Sequence, residues 1–237
     1  SLYLAEGVPN IAVSVVAAIM FKNLGLSNKQ IALSTGSMYL PWVIKPLWAP
    51  FIELYRTKKF FVLAMEVFMA GTFAAIAFAL HLPNWLAVTT ALLWATAFAS
   101  ATQDIAADGV YISSTTVKEQ GEYAGVQGVF WNLGRILASG FLIYLLGYLH
   151  ETLRWDWVRS WMTIMLALGV IMILAALWHS KWLPPGDAAA TQGDSLADVA
   201  RTLLDSWVSF FSKPHIWMMI TVVRSEEHTS ELQSHHP

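Results

Sequence analysis

The sequence predicts an all-α, polytopic membrane protein, and three observations carry that expectation. Hydrophobic residues fill 56% of the 237 positions and the mean hydropathy is +0.51. Charged residues account for only 13%, against about 25% in an average soluble protein. The apolar residues also fall in long blocks rich in Trp, and blocks of that length belong in a bilayer. The same composition excludes other classes. A formal charge of -2 without a Lys/Arg-rich run gives nucleic acid no electrostatic footprint. The absence of Cys removes disulfides, Cys-ligated zinc and iron–sulfur clusters.

A helix needs about 20 residues to cross a ~30 Å hydrocarbon core, and residues 2–21, 30–52, 60–80, 85–112, 123–148 and 161–180 each meet that length. They form the expected six-helix bundle over residues 1–180. In the first span Pro9 follows Glu6 and precedes Asn10, predicting an interrupted helix with polar neighbours, an arrangement that lines sites in transporters. Pro41, Pro46 and Pro50 punctuate the second span around Lys45, predicting kinks. Glu66 lies in the third span, and Gln103, Asp104 and Asp108 lie in the fourth. Trp131, Asn132 and Arg135 lie in the fifth, among Gly121, Gly125, Gly128, Gly134, Gly140 and Gly147. Close helix packing is the expected use of these glycines.

Residues 181–214 read as a central loop opened by a Pro184-Pro185-Gly186 break. An amphipathic helix is expected over residues 195–212, with Ser195 and Asp198 as its capping box, packed beneath the bundle. A seventh span begins at residues 215–223. Residues 224–237 change composition abruptly and resemble one reading frame of a sequencing-library adapter, so they are set aside from the fold. Without them 13 basic and 13 acidic residues remain. The start at Ser1, without Met, suggests a lost leader. With the N-terminus inside, cytoplasmic loops hold Arg56, Lys58, Lys59, Lys118, Lys181, Arg201 and Lys213, and the outer loops hold Lys22, Lys29, Arg154 and Arg159. That excess of basic residues favours this orientation.

A charge in the middle of a spanning helix costs at least ~2.5 kcal/mol on insertion scales, so each needs a partner, a wet cavity or a function. Glu6 and Glu66 are expected about 9 Å deep, Lys45 and Asp104 about 12 Å and Arg135 about 18 Å, all from the cytoplasmic side. Asp104 and Asp108 share one helix face at i, i+4 spacing, as a pair that binds a proton or places a cation. Alternatively, Asp104 neutralises Lys45 or Arg135 while Asp108 caps the helix end. Lys45 could equally pair with Glu66. Arg135 keeps its charge when buried, and a fixed cation facing a cavity suits a substrate carboxylate or phosphate. His81, His150, His179 and His215 all fall at span ends or in loops, where interfacial anchoring is the default expectation.

Three strings carry a family resemblance: Leu2-Tyr-Leu-Ala-Glu-Gly-Val-Pro9, Lys45-Pro-Leu-Trp-Ala-Pro-Phe-Ile-Glu53, and Gln103-Asp-Ile-Ala-Ala-Asp-Gly109. They resemble the AmpG-like permeases of the major facilitator superfamily, whose relatives include muropeptide permeases and acetyl-CoA transporters. The resemblance implies a twelve-helix carrier of two six-helix bundles working by alternating access, of which this chain holds the N-terminal bundle. It also implies a gating loop between the second and third spans, filled here by Glu53, Arg56, Lys58 and Lys59, with Ala49 where the family has Gly. No repeat between the first three spans and the next three is visible in the residues.

The expected function is therefore secondary transport, proton-coupled, of an organic solute such as a muropeptide across the inner membrane. Arg135 is the candidate anion anchor, with Asn10, Gln103, Trp131 and Asn132 as neutral cavity contacts. Glu6, Asp104, Asp108, Lys45 and Glu66 are candidates for proton coupling or ion pairing. The partners are the solute, protons, the bilayer and the missing C-terminal bundle; no metal or cofactor is called for. An integral membrane enzyme is the main alternative, but the sequence has no His-Glu-x-x-His, Gly-x-Ser-x-Gly or phosphate-cradling Gly-Lys-Ser/Thr string. A non-transport scaffold is the other, and no soluble domain is present to carry a signal.

Overall fold

The computed structural model describes residues 1–54, 56–186, 201, 204–205, 207–209 and 212, apart from the side chains of Glu53 and Leu54. It divides into two units, residues 1–190 and 191–237. In the second unit Arg201, Leu204, Asp205 and Trp207 to Ser209 are helical, and the Ser212 amide donates to the Val208 carbonyl. The expected capping pair Ser195 and Asp198, most of the central loop, the seventh span with His215, and residues 224–237 lie outside the described residues.

The first unit is helical throughout its regular structure. Its elements are α1 (Leu2–Asn23), α2 (Asn28–Thr35), α3 (Leu40–Ile44), α4 (Ala49–Leu54), α5 (Lys58–Ala79), α6 (Trp85–Ser114), α7 (Val117–Thr152) and α8 (Trp157–Trp182). Five of these, α1, α5, α6, α7 and α8, are long and apolar enough to cross a membrane. The boundaries follow local chemistry. Ser27 and Gln30 form a capping box that starts α2, and Thr116 and Glu119 form the one that starts α7, six residues before the predicted start. Thr57 caps α5 by accepting from the Phe60 amide. Asp156 caps α8, and the Arg159 amide donating to it at 2.9 Å holds its carboxyl below the usual range.

The prolines act differently in the first two spans. The second span is not one kinked helix: a turn at residues 36–39 and a 3₁₀ turn, Lys45–Leu47, divide it into α2, α3 and α4. Pro41, Pro46 and Pro50 are the second residues of α3, the 3₁₀ turn and α4, so each missing amide and ring clash falls where a helix must restart. Pro9, by contrast, does not interrupt α1. The helix runs through it and widens into a π-helical turn, Ala12–Val16, immediately afterwards. α7 holds two further π turns, Leu137–Phe141 and Tyr148–Thr152.

α5 lies between α6 and α8, and α1 packs against α7 and α6. The main core gathers Met20, Phe21, Met69, Phe73, Trp161 and Leu168, all fully buried. A smaller core of Leu2, Ile52, Phe61, Val62, Ile105 and Val110 closes the Ser1 end.

The glycine series divides: Gly134 meets the expectation of close helix packing and the earlier glycines of α7 do not. A Cβ on Gly7 would lie 2.2 Å from the Trp131 carbonyl oxygen, and one on Gly134 would lie 2.1 Å from that of Leu4. Those two glycines bring the backbones of α1 and α7 together. Gly121, Gly125, Gly128 and Gly147 have nothing within 4 Å of such an atom, so the predicted GxxxG spacing of Gly121 and Gly125 makes no helix contact here. Both lie on the early, largely exposed stretch of α7.

Candidate functional site

The intramembrane charges sort into separate groups. Lys45, on the 3₁₀ turn, bonds directly to Asp104 of α6, and both side chains remain part-exposed. Just beyond, the Trp48 indole N–H donates to Thr102 Oγ1 at 3.2 Å, holding the broken segment against α6. Of the alternatives the sequence left open for Lys45, Asp104 is therefore the partner and Glu66 is not. Removing either charge strands the other in an apolar setting, whereas removing both does not. The losses in Lys45→Met and Asp104→Asn should therefore sum to more than the loss in the double variant, with a coupling of about 1–3 kcal/mol. Unfolding in mixed micelles measures that cycle, and simple additivity would refute the pairing.

Asp108 does not cap the end of α6, which continues six residues further to Ser114. It accepts from the Tyr3 hydroxyl at 3.0 Å, and the same hydroxyl accepts from Gln127 Nε2 at 2.8 Å. This chain ties α1, α6 and α7 together at the Ser1 end. Beside it lies a cavity of 310 Å³ walled by Tyr3, Tyr111, Tyr123, Gln127 and Phe130. Tyr3 and Gln127 were missed in the sequence. Only Tyr3, inside the Leu2 to Pro9 string, carried any signal.

Glu66 and Gln103 are fully buried and face each other, Gln103 Nε2 donating to Glu66 Oε1 at 3.0 Å. Gln103 is thus a packing partner of Glu66 and does not line an open cavity. His179 corrects its expectation too: it is 1% exposed, and its Nδ1 lies 2.7 Å from Glu66 Oε1. Nothing in the local sequence sets it apart from His150, which sits in the last π turn of α7 stacked on Trp157. His81 is exposed at a span end.

Glu6 is buried on α1, with Oε1 lacking a hydrogen-bond partner, and is within electrostatic range of Asp104, Asp108, Lys45 and Glu66. Close helix contact places the Arg135 amide nitrogen only 3.0 Å from a Cβ built on the neighbouring Gly7. The Arg135 guanidinium lies 4.6 Å over the Trp131 ring, its Nε is buried without a partner, and no carboxylate bonds to it among the described residues. With Asp104 taken by Lys45, the rival pairing of Arg135 with Asp104 does not form. Asn10 is half-buried on α1, while Asn132 is exposed and turns back to donate to the Gly128 carbonyl at 2.9 Å.

Of the expected gating residues, the Glu53 side chain lies outside the described residues. Arg56 is exposed, with φ of 63° and its guanidinium 5.8 Å over Phe60. Lys58 is buried, and the Lys59 amide donates to the Pro185 carbonyl, joining this turn to the segment after α8. Among the described residues no group of three or more His, Asp or Glu side chains is placed to hold a metal.

Five long apolar helices that carry buried charges between them define a multi-pass membrane protein. The model of the Major Facilitator Superfamily matches residues 2–224, and the chain belongs to that family. Within it the chain is AmpG-like. It is 29% identical over 146 residues to "Putative transporter AmpG 3" of Rickettsia prowazekii (strain Madrid E), a match covering 56% of this chain and 33% of that protein. The protein of the same name from Rickettsia typhi (strain ATCC VR-144 / Wilmington) is 28% identical over the same length and shares. The matched part thus spans about a third of each relative's length.

Proposed function

We propose that this chain is the N-terminal bundle of a proton-coupled carrier that moves an anionic organic solute, such as a muropeptide, across the inner membrane. Its N-terminus faces the cytoplasm, and a C-terminal bundle of the same protein completes the pathway. The observation that carries the reading is Arg135. Its guanidinium is fixed against Trp131 within the bundle and has no carboxylate partner among the described residues. A cation that cannot shed its charge is expensive in a bilayer unless an anion or water meets it, and a substrate carboxylate supplies that partner with charge-assisted hydrogen bonds. Trp131 shares that surface, and Asn10, half-buried on α1, serves as a further neutral contact. Glu6 is the side chain best placed to carry a proton, because a buried carboxyl with one oxygen unpaired is tolerated in apolar surroundings only when neutral.

The test is uptake of a radiolabelled muropeptide into proteoliposomes holding the full-length protein. An imposed proton gradient should drive accumulation, and a protonophore should reduce it to equilibration. Accumulation indifferent to the protonophore would refute proton coupling, and absence of any protein-dependent uptake would refute the solute.

A further inference from the structure

The Lys45–Asp104 pair and the Arg135 anchor leave a second ionisable group unexplained. Glu66 of α5 and His179 of α8 meet where neither reaches water, with Glu66 0% and His179 1% exposed. Glu66 Oε1 takes both Gln103 Nε2 at 3.0 Å and His179 Nδ1 at 2.7 Å, while Glu66 Oε2 and Gln103 Oε1 are buried with no partner. The other face of the imidazole points outward: Nε2 lies 3.3 Å from the hydroxyl of Ser1, which is exposed. One ring therefore links a wholly buried carboxyl to the Ser1 hydroxyl. Gln103 from α6 and His179 from α8 bond to Glu66, and Glu6 from α1 is the other carboxylate within electrostatic range of it. Asp104 of α6 is engaged by Lys45.

We propose that Glu66 and His179 form a second proton-binding site, backed by Gln103, that holds one proton between carboxyl and imidazole and exchanges it through His179 Nε2 at the Ser1 end. The charge balance supports this. A neutral imidazole beside an ionised carboxylate carries a net charge of -1, and burying that charge in apolar surroundings without a cation is costly. One added proton brings the pair to zero net charge, either as imidazolium with carboxylate or as imidazole with carboxylic acid. Entry is a transfer through the ring: Nε2 accepts a proton from the Ser1 hydroxyl, which takes one from water in the same transfer, and Nδ1 passes its own to Glu66 Oε1. The two ring nitrogens of histidine suit this shuttle. The role of this proton in coupling rests on the transport reading above; the site itself does not.

The site is tested first without any solute, on the full-length protein in phosphatidylcholine vesicles at neutral pH. Nitrogen NMR of ¹⁵N-histidine-labelled protein reports imidazolium, and infrared spectra report a protonated carboxyl. The wild type should show one or the other, with the signal absent from Glu66→Gln. In His179→Gln the protonated carboxyl of Glu66 should remain and exchange with solvent at least ~10-fold more slowly, because the shuttle is gone. Circular dichroism confirms that both variants keep their helices. A neutral imidazole together with an ionised carboxylate in the wild type overturns the site, and unchanged exchange in His179→Gln overturns the shuttle. In proteoliposomes, Glu66→Gln should lower gradient-driven muropeptide accumulation about 10-fold, a loss of one coupling proton, while solute exchange at equal pH persists. Full accumulation in Glu66→Gln overturns the coupling role. A wild type that shows the shared proton but takes up no muropeptide refutes the solute and supports the site.

Discussion

Replacing Arg135 with Gln in the complete protein should cut uptake by about 10- to 100-fold while leaving membrane insertion intact. The size follows from one hydrogen bond to a charged group, worth about 1.5–3 kcal/mol, with each 1.4 kcal/mol a factor of ten. Insertion should survive because no carboxylate among the described residues depends on Arg135 for its charge balance. Lys at this position should recover only part of the activity: it keeps the charge but loses the planar fork and its stacking over Trp131, 4.6 Å away. Concentration-dependent uptake separates the two contributions. An anchor acting in substrate binding raises KM, and a role confined to the moving state lowers kcat. Unchanged uptake in Arg135→Gln would remove the anion anchor from the mechanism.

Adding a side chain at Gly134 should be the most destabilising single change in the described bundle. Even the methyl group of Ala would put a carbon 2.1 Å from the Leu4 carbonyl oxygen, and at Gly7 the corresponding clash is 2.2 Å with Trp131. Both obstacles are backbone, so no rotamer change relieves them, and α1 and α7 must move apart. Overpacking typically costs about 1–3 kcal/mol, and Gly134→Val should reach at least the top of that range. Gly125→Ala provides the contrast. Its Cβ meets nothing within 4 Å, so the gain in helix propensity over Gly should raise stability by up to about 1 kcal/mol. Unfolding of the purified chain in mixed micelles measures both. Equal effects at Gly134 and Gly125 would show that the close crossing of α1 and α7 does not set the stability of the bundle.

The contrast between these glycines marks where sequence reasoning stops. Gly134 and Gly125 sit in one helix and read alike in the chain; only the approach of α1, a partner more than a hundred residues away in sequence, distinguishes them. Histidine 179 makes the same point. Its position near the end of an apolar block resembles that of an interfacial anchor, yet the docking of α8 on α5 buries it against Glu66. Proline was partly legible. The cluster at Pro41, Pro46 and Pro50 announced broken backbone, but not its division into α2, α3 and α4. Pro9 was absorbed by a helix that widened into a π turn after it.

The class of protein was determined by the sequence itself. Long apolar blocks need a bilayer, a crossing needs about 20 helical residues, and caps such as Thr116 with Glu119 are local, so each follows from a short stretch of chain. The presence of Glu6, Lys45, Glu66, Asp104, Asp108 and Arg135 in apolar surroundings was equally plain, because the cost of such charges is a property of one residue and its immediate neighbours. Which partners they find was decided only by tertiary structure. Lys45 with Asp104, Asp108 with Tyr3 and Glu66 with His179 are contacts between helices. Electrostatic attraction in a low dielectric selects among candidates of similar depth only after helix packing has set which faces meet, and that packing left Arg135 without a carboxylate partner among the described residues.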